Sequence, residues 1–127
     1  MRKHGLVLFG HGARDARWAE PFERLAQRLR AARGADAPVT LAFLELMTPS
    51  LPDAIAALVA QGCDAVTVIP VFFGQGGHVR RDLPQLLDAC RAVHPGLALD
   101  CASAVGEDDA VLDAIAAYCL RAPPLAP

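Results

Sequence analysis

The chain has few aromatic residues and no excess of basic charge. Only 6% of its 127 residues are aromatic, although 54% are apolar, and much of the apolar content is alanine. Acidic residues outnumber basic ones by 14 to 12, which gives a net charge of −2. A general nucleic-acid-binding protein needs a basic face, so we expect no nucleic-acid partner.

Long apolar runs and paired cysteines are also missing. No run approaches the roughly 20 apolar residues of a membrane span, so no membrane partner is expected. The N-terminal MRKHGLVLFGHGARD lacks a small-residue cleavage site and does not resemble a signal peptide. The four cysteines, at positions 63, 90, 101 and 119, form no C-x-x-C pair. Their apolar surroundings predict buried, reduced thiols, and hence a cytoplasmic protein without disulfides.

What the chain does have is a regular alternation of strand and helix patterns. Short apolar runs predict buried strands at 5–10, 39–46, 65–70 and 97–103. Apolar residues spaced three and four apart predict a helix after each strand. The third helix is expected to face inward with Val79, Leu83, Leu86, Leu87, Cys90 and Val93. The order is βαβαβαβα, with one domain over residues 1–122 and a frayed tail over 123–127.

This order predicts an α/β fold with a parallel sheet. Strands that are almost continuously apolar and are separated by helices indicate a sheet covered on both faces. Right-handed crossovers then favour a small doubly wound, flavodoxin-like, four-stranded sheet with helices on both faces. Ligands of such sheets bind beyond the carboxyl ends of the strands. The residues that follow those ends are therefore the candidates for a site.

Three potential metal ligands follow predicted strand ends. His11 lies in GHGARD, Glu45 in FLELMTPS and His78 in PVFFGQGGHVRRD. Taken singly, each histidine has a structural explanation as a loop residue, and Glu45 has one as an ion-pair partner. Together, two imidazoles and a carboxylate suit divalent Co, Ni, Fe or Zn and leave coordination positions open. The other two histidines, His4 and His94, fall at the opposite edge and are expected to be structural.

The third of these segments also carries glycines, arginines and two phenylalanines. Glycine N–H groups near a helix N-terminus and guanidinium groups bind carboxylates or phosphates. The candidates for this role are Gly76, Gly77, Arg80 and Arg81, with Arg14 and Arg17 from the first loop. Phe72 and Phe73 either pack under the helices or form an apolar wall, and we select Phe73 as the ligand contact. A flat, polyanionic, metal-chelating ligand fits all of these features.

Three ordered motifs then resemble a known family. GHGARD is similar to the family's GHGSRD, FLELMTPSL to FLEL-x-x-PSL, and IPVFFGQGGHVRRDLP to P-x-F-x-x-x-GGHV-x-x-D-I-P. On these motifs the sequence resembles the short sirohydrochlorin cobaltochelatases of the CbiX type, which are class II tetrapyrrole chelatases. Ala13 replaces the usual serine, and Asp109 stands where proline is common; neither change removes a potential ligand.

The resemblance implies that a divalent metal is inserted into sirohydrochlorin or a related tetrapyrrole in cobalamin biosynthesis. His11 and His78 match the two metal-binding and catalytic histidines, and Glu45 matches a site-facing acid. Co²⁺ is the first choice of metal substrate, with Fe²⁺, Ni²⁺ and Zn²⁺ as alternatives. No ATP or other organic cofactor is implied, and short chains of this type pair as homodimers.

Two hypotheses from other functional classes stay open beside that of a chelatase. The first is a non-catalytic carrier of metal or tetrapyrrole. The second is a phosphate-binding, flavodoxin-like module that uses GQGGHVRR as an anion cradle. The chain lacks both G-x-x-x-x-G-K-[ST] and G-x-G-x-x-G, which disfavours the phosphate module.

Overall fold

Four strands and four α-helices alternate along residues 3–74 and 76–124, the part of the chain that the computed structural model describes; for His78 it describes the backbone alone. The strands are β1 (His4–Gly10), β2 (Val39–Phe43), β3 (Ala65–Pro70) and β4 (Ala98–Cys101). The helices are α1 (Glu20–Arg33), α2 (Leu51–Ala60), α3 (Gly77–Val93) and α4 (Asp109–Arg121). Two short 3-10 helices, Ala16–Ala19 and Val105–Glu107, precede α1 and α4.

The sheet has the strand order β2-β1-β3-β4, and all three strand pairs are parallel. This order confirms the predicted doubly wound, flavodoxin-like fold. The chain leaves β1 toward one edge of the sheet and returns to the other side of β1 as β3. That reversal opens a crevice beyond the carboxyl ends of β1 and β3, where ligands of such sheets bind. No helix within the described ranges is long and apolar enough to cross a membrane.

The core lies on both faces of β1, because successive side chains of a strand point to opposite faces. Val7 and Phe9 are fully buried on the face that α2 and α3 cover, and Leu8 is buried on the face that α1 covers. Burying a side chain of this size stabilises the fold by about 1.5–3 kcal/mol. The two apolar layers hold β1 rigidly, and with it the loop that follows.

Local signals in the sequence set several helix ends. The Ser50 hydroxyl caps α2 by accepting a hydrogen bond of 3.3 Å from the Asp53 N–H. Gly34 ends α1 with φ at +90°, and its N–H donates to the Arg30 carbonyl. Asp108 caps α4 by accepting a hydrogen bond of 3.1 Å from the Val111 N–H.

Several sequence-based expectations were wrong in detail. β2 ends at Phe43 and not at residue 46, because Leu46 adopts a positive φ of 67° that turns the chain out of the sheet. β4 covers only Ala98–Cys101 of the predicted 97–103. Val93, expected to face inward, is exposed at the last position of α3. Residues 125–127 of the predicted tail lie outside the described residues.

The cysteines divide into two groups. Cys63 and Cys90 are buried, as expected, and burial raises the pKa of both thiols. The expectation of burial was wrong for Cys101 and Cys119, which are exposed. Cys101 ends the edge strand β4, and Cys119 lies on α4, a helix that buries none of its residues.

Candidate functional site

The loop after β1 and the exit of β2 are joined by backbone hydrogen bonds beyond the sheet. The Leu44 N–H donates to the Gly10 carbonyl at 2.9 Å, and the Glu45 N–H donates to the His11 carbonyl at 3.1 Å. These bonds prolong the β1–β2 pairing at the carboxyl edge. The structure therefore brings His11 and Glu45 side by side, as the strand-end argument expected.

Gly12 makes this close approach possible. Its φ is +94°, and a Cβ on this residue would overlap the carbonyl oxygen of Glu45. Glycine adopts positive φ without steric cost and leaves room for the neighbouring backbone. The second glycine of Gly-His-Gly is thus required by the backbone that carries Glu45.

A tight turn centred on Leu46 constrains the backbone of Glu45 on its C-terminal side. The Met47 N–H donates to the Glu45 carbonyl at 2.8 Å, which closes a three-residue turn with Leu46 at its centre. A central residue with positive φ is rare and strained in such turns. Leu46 is 59% exposed. Sequence reasoning missed this residue, because leucine gives no local signal for a positive φ.

The His11 ring lies against Phe72. Their centroids are 4.7 Å apart with an interplanar angle of 44°, and Phe72 also makes an edge contact with buried Phe9 at 6.4 Å. Phe72 is half-buried and packs against the main core. It therefore links an exposed histidine to the rigid centre of the molecule. Sequence reasoning had left the role of Phe72 open.

Phe73 is more exposed than Phe72. It is 67% exposed and lines an apolar cavity of about 270 Å³. The other lining residues are Val71, Phe72, Val105, Gly106, Val111 and Ile115. Both phenylalanines line this cavity, and Phe72 additionally contacts the His11 ring and the main core.

The third potential ligand, His78, is the second residue of α3, and Gly76 precedes that helix as its N-cap. The His78 side chain and the whole of Gln75 lie outside the described residues. Among the side chains that are described, no three His, Cys, Asp or Glu residues are close enough to hold a metal ion. Pairing of His78 with His11 stays a prediction.

The first turn of α3 presents the expected donors to solvent. A Cβ at Gly76 or Gly77 would meet open space, so packing does not require glycine there. Backbone N–H groups in the first turn of a helix lack partners within the helix and suit anions. Arg80 and Arg81 are exposed in the same turn, and Arg14 is exposed in the loop after β1.

Arg17 has a local partner instead. Its Nη2 donates to Asp15 Oδ2 at 2.8 Å, and both side chains are exposed. This hydrogen bond lowers the pKa of the Asp15 carboxyl and raises the pKa of Arg17. Asp15 thus neutralises the charge of Arg17 within the same loop. The arginines that remain as candidates for binding an anionic ligand are Arg14, Arg80 and Arg81.

The two remaining histidines lie at the opposite edge of the sheet, as expected. His4 begins β1, and its Nε2 is 2.7 Å from the Thr67 hydroxyl oxygen. His94 follows the last residue of α3, where its N–H donates to the Cys90 carbonyl. Neither belongs to the carboxyl-edge site.

A family model and several known sequences match most of this chain. The sequence model of the CbiX family matches residues 5–121. A sirohydrochlorin cobaltochelatase of Methanothermobacter thermautotrophicus is 38% identical over 85 residues, which cover 67% of this chain and 58% of the relative. A second, of Saccharolobus solfataricus, is 35% identical over 83 residues, covering 65% of this chain and 62% of the relative. The matched region thus spans less than two thirds of these curated relatives.

Solved structures share the architecture. A putative cobalamin biosynthesis CbiX protein of Marinobacter aquaeolei VT8 superposes with a TM-score of 0.73 at 32% identity, over 94% of this chain and 99% of that one. The cobalt complex of the sirohydrochlorin chelatase SirB of Bacillus subtilis subspecies spizizenii gives 0.77 at 24% identity, over 93% and 50%. This second likeness shows the fold alone. With the family model matched over residues 5–121, the chain belongs to the CbiX family.

Proposed function

We propose that the chain is a metal chelatase that inserts a divalent metal into sirohydrochlorin or a related tetrapyrrole without ATP. Co²⁺ is the first choice of metal substrate. The observation that carries the proposal is the backbone pairing of His11 with Glu45 at the carboxyl edge. This pairing lies within two of the motifs on which the family resemblance was recognised, and matched relatives are named sirohydrochlorin cobaltochelatases.

Metal insertion makes two chemical demands on the site. Two pyrrole N–H protons must leave the macrocycle, and the hydrated ion must exchange water for ring nitrogens. Neutral imidazoles of His11 and His78 serve both steps, because imidazole binds first-row metals and also accepts protons. Glu45 completes the ligand set or relays a proton. The contact of His11 with Phe72 restricts its ring, which favours one orientation toward the substrate.

The rim of the site provides the contacts for the macrocycle in this proposal. Arg14, Arg80 and Arg81, with the N–H groups of Gly76 and Gly77, bind the peripheral carboxylates of the ring. Phe73 supplies an apolar contact. Iron insertion for sirohaem, or nickel insertion, stays the alternative for the same residues, since a set of imidazole and carboxylate ligands does not select one first-row metal.

The test is a chelation assay with sirohydrochlorin and Co²⁺, followed by the visible spectrum. The wild type should convert many equivalents of tetrapyrrole, whereas His11→Ala and His78→Ala should lower the rate at least 100-fold. His94→Ala is the matched control, because it removes a histidine from the opposite edge and should retain the wild-type rate. A shift that stops at one equivalent would indicate a carrier, and near-normal turnover of His11→Ala would refute the site.

A homodimer and a cytoplasmic location belong to the same proposal. The homodimer is supported by the likeness to short members of the family, and the location by the cysteine usage of the sequence. Both stay predictions.

A further inference from the structure

We propose that Leu46 is a substrate-contacting residue, whose side chain packs against the apolar face of the tetrapyrrole next to Glu45. The inference rests on the proposed function and deepens it, because it adds an apolar contact to the same site. Two features of Leu46 carry it. They are a backbone conformation that leucine rarely adopts and an apolar side chain that the domain leaves in solvent.

The backbone of Leu46 lies in the left-handed region, with φ at +67°. Within residues 3–74 and 76–124, Leu46 alone among the residues other than glycine has a positive φ. This conformation costs free energy for a residue with a Cβ, and residues held in it cluster at functional sites. If the chain needed only the turn, glycine would provide it without strain. The presence of leucine therefore indicates that its side chain has a use.

That use does not lie in the protein's own core. The neighbours Leu44 and Met47 pack against the two core clusters, whereas Leu46 belongs to neither cluster in the described part of the chain. Leu46 is 59% exposed, so most of its surface forgoes the stabilisation that burial would give. A polar side chain would suit this position better if water were its only neighbour. A ligand that covers Leu46 supplies the missing apolar contact.

The position of Leu46 at the sheet edge indicates which ligand this is. The Glu45 N–H donates to the His11 carbonyl at 3.1 Å, so Leu46 directly follows the paired segments that hold two potential metal ligands. In the strand order β2-β1-β3-β4, Leu46 follows β2, His11 follows β1 and Phe73 follows β3. Neighbouring strands are only about 4.8 Å apart. A flat ligand over His11 therefore lies within reach of an exposed apolar residue on either side, Leu46 and Phe73.

A tetrapyrrole has the two kinds of surface that this edge requires. Its peripheral carboxylates suit the arginines and N–H groups in the first turn of α3, whereas the faces of the ring are apolar. Contact between a ring face and Leu46 removes apolar surface from water and so strengthens binding. This contact is the same in the ground state and in the transition state. It therefore contributes to substrate affinity and not to the chemical step.

The competing explanation is that Leu46 only shapes the turn that holds Glu45. Asparagine separates the two explanations, because it is close to leucine in shape, adopts the left-handed region more readily and is polar. Leu46→Asn therefore keeps the turn and removes the apolar contact. Leu46→Met is the matched control, since methionine keeps an apolar side chain of similar volume.

The first measurement is tetrapyrrole binding without metal, by titrating each protein into sirohydrochlorin and following its fluorescence. Wild type and Leu46→Met should have dissociation constants within about twofold of each other. Leu46→Asn should bind roughly tenfold more weakly, because a leucine side chain no longer buries its surface on the ligand. Urea denaturation should show Leu46→Asn to be at least as stable as the wild type, since its backbone is less strained.

The second measurement is turnover with Co²⁺. In Leu46→Asn, KM should rise roughly tenfold with kcat retained, because the lost contact acts on both states equally. A lowered kcat at constant KM would show that Leu46 acts through Glu45, and would overturn the proposal. An unchanged dissociation constant in Leu46→Asn would also overturn it, and so would an equal loss of affinity in Leu46→Met.

Failure of this inference is distinguishable from failure of the proposed function. A wild type that binds no sirohydrochlorin and shows no turnover refutes both. A wild type that binds and turns over, with a Leu46→Asn variant of equal affinity, refutes only the contact at Leu46 and leaves the chelatase standing.

Discussion

At the scale of single residues, the site depends on a glycine that no catalytic chemistry requires. Gly12 carries a positive φ and faces the carbonyl of Glu45, whose own N–H donates to His11. Any side chain at this position separates the two segments that hold the potential ligands. The effect on activity would thus be indirect, through the position of Glu45.

Gly12→Ala should therefore cost more stability than a glycine substitution at a comparable backbone angle. A positive φ by itself costs a non-glycine residue about 1–3 kcal/mol. Gly34 has a φ of +90°, but a Cβ there meets open space, so Gly34→Ala isolates the backbone cost. Urea denaturation of both variants should show the larger loss for Gly12→Ala, with chelation lowered only in that variant. Equal losses of stability would contradict the packing role of Gly12.

At the scale of elements, the first turn of α3 combines exposed N–H groups, two glycines and two arginines beside the end of β3. Nothing in the packing requires glycine at positions 76 and 77, in contrast to position 12. Their contribution is access to the backbone donors. In the proposed function this helix end binds substrate carboxylates, and the chemistry takes place at His11, His78 and Glu45.

Arg80→Ala and Arg81→Ala should then raise KM more than they lower kcat. The binding that is lost acts equally on the ground state and the transition state. Each exposed ion pair contributes at most about 1 kcal/mol, so an increase in KM of roughly twofold to fivefold is expected. Arg28→Ala, on the exposed surface of α1, makes the same change in net charge and should leave KM unaltered. A lowered kcat at constant KM would place these arginines in the chemical step.

At the scale of the whole molecule, stability is distributed unevenly. β1 and β3 are paired on both sides and buried between helices, whereas α4 buries no residue. Exchange of amide hydrogens in a core strand requires global unfolding, but poorly packed elements open locally. Among the described helices and strands, α4 should therefore be the first to open.

Hydrogen exchange should follow this division. At low protein concentration, amides of α4 should exchange orders of magnitude faster than those of β1 and α2. Protection of α4 equal to that of β1 at all concentrations would contradict the poor packing of this helix within its own domain.

The sequence by itself determined the class of fold, the bounds of β3 and the motifs of the family. The apolar run of β3, at Ala65–Pro70 as predicted, the Ser50 cap of α2 and the Gly34 stop of α1 all depend on neighbours in sequence. Strand order followed because right-handed crossovers leave few alternatives. The motifs around His11, Glu45 and His78 likewise follow from the sequence alone.

Only the tertiary structure decided how those motifs meet. The overlap that forbids a side chain at Gly12 and the backbone bond between Glu45 and His11 both join segments more than 30 residues apart. The contact of Phe72 with His11 and the exposure of α4 depend in the same way on distant partners. Sequence patterns record which residues prefer burial, whereas contacts between remote segments exist only once the sheet has brought them together.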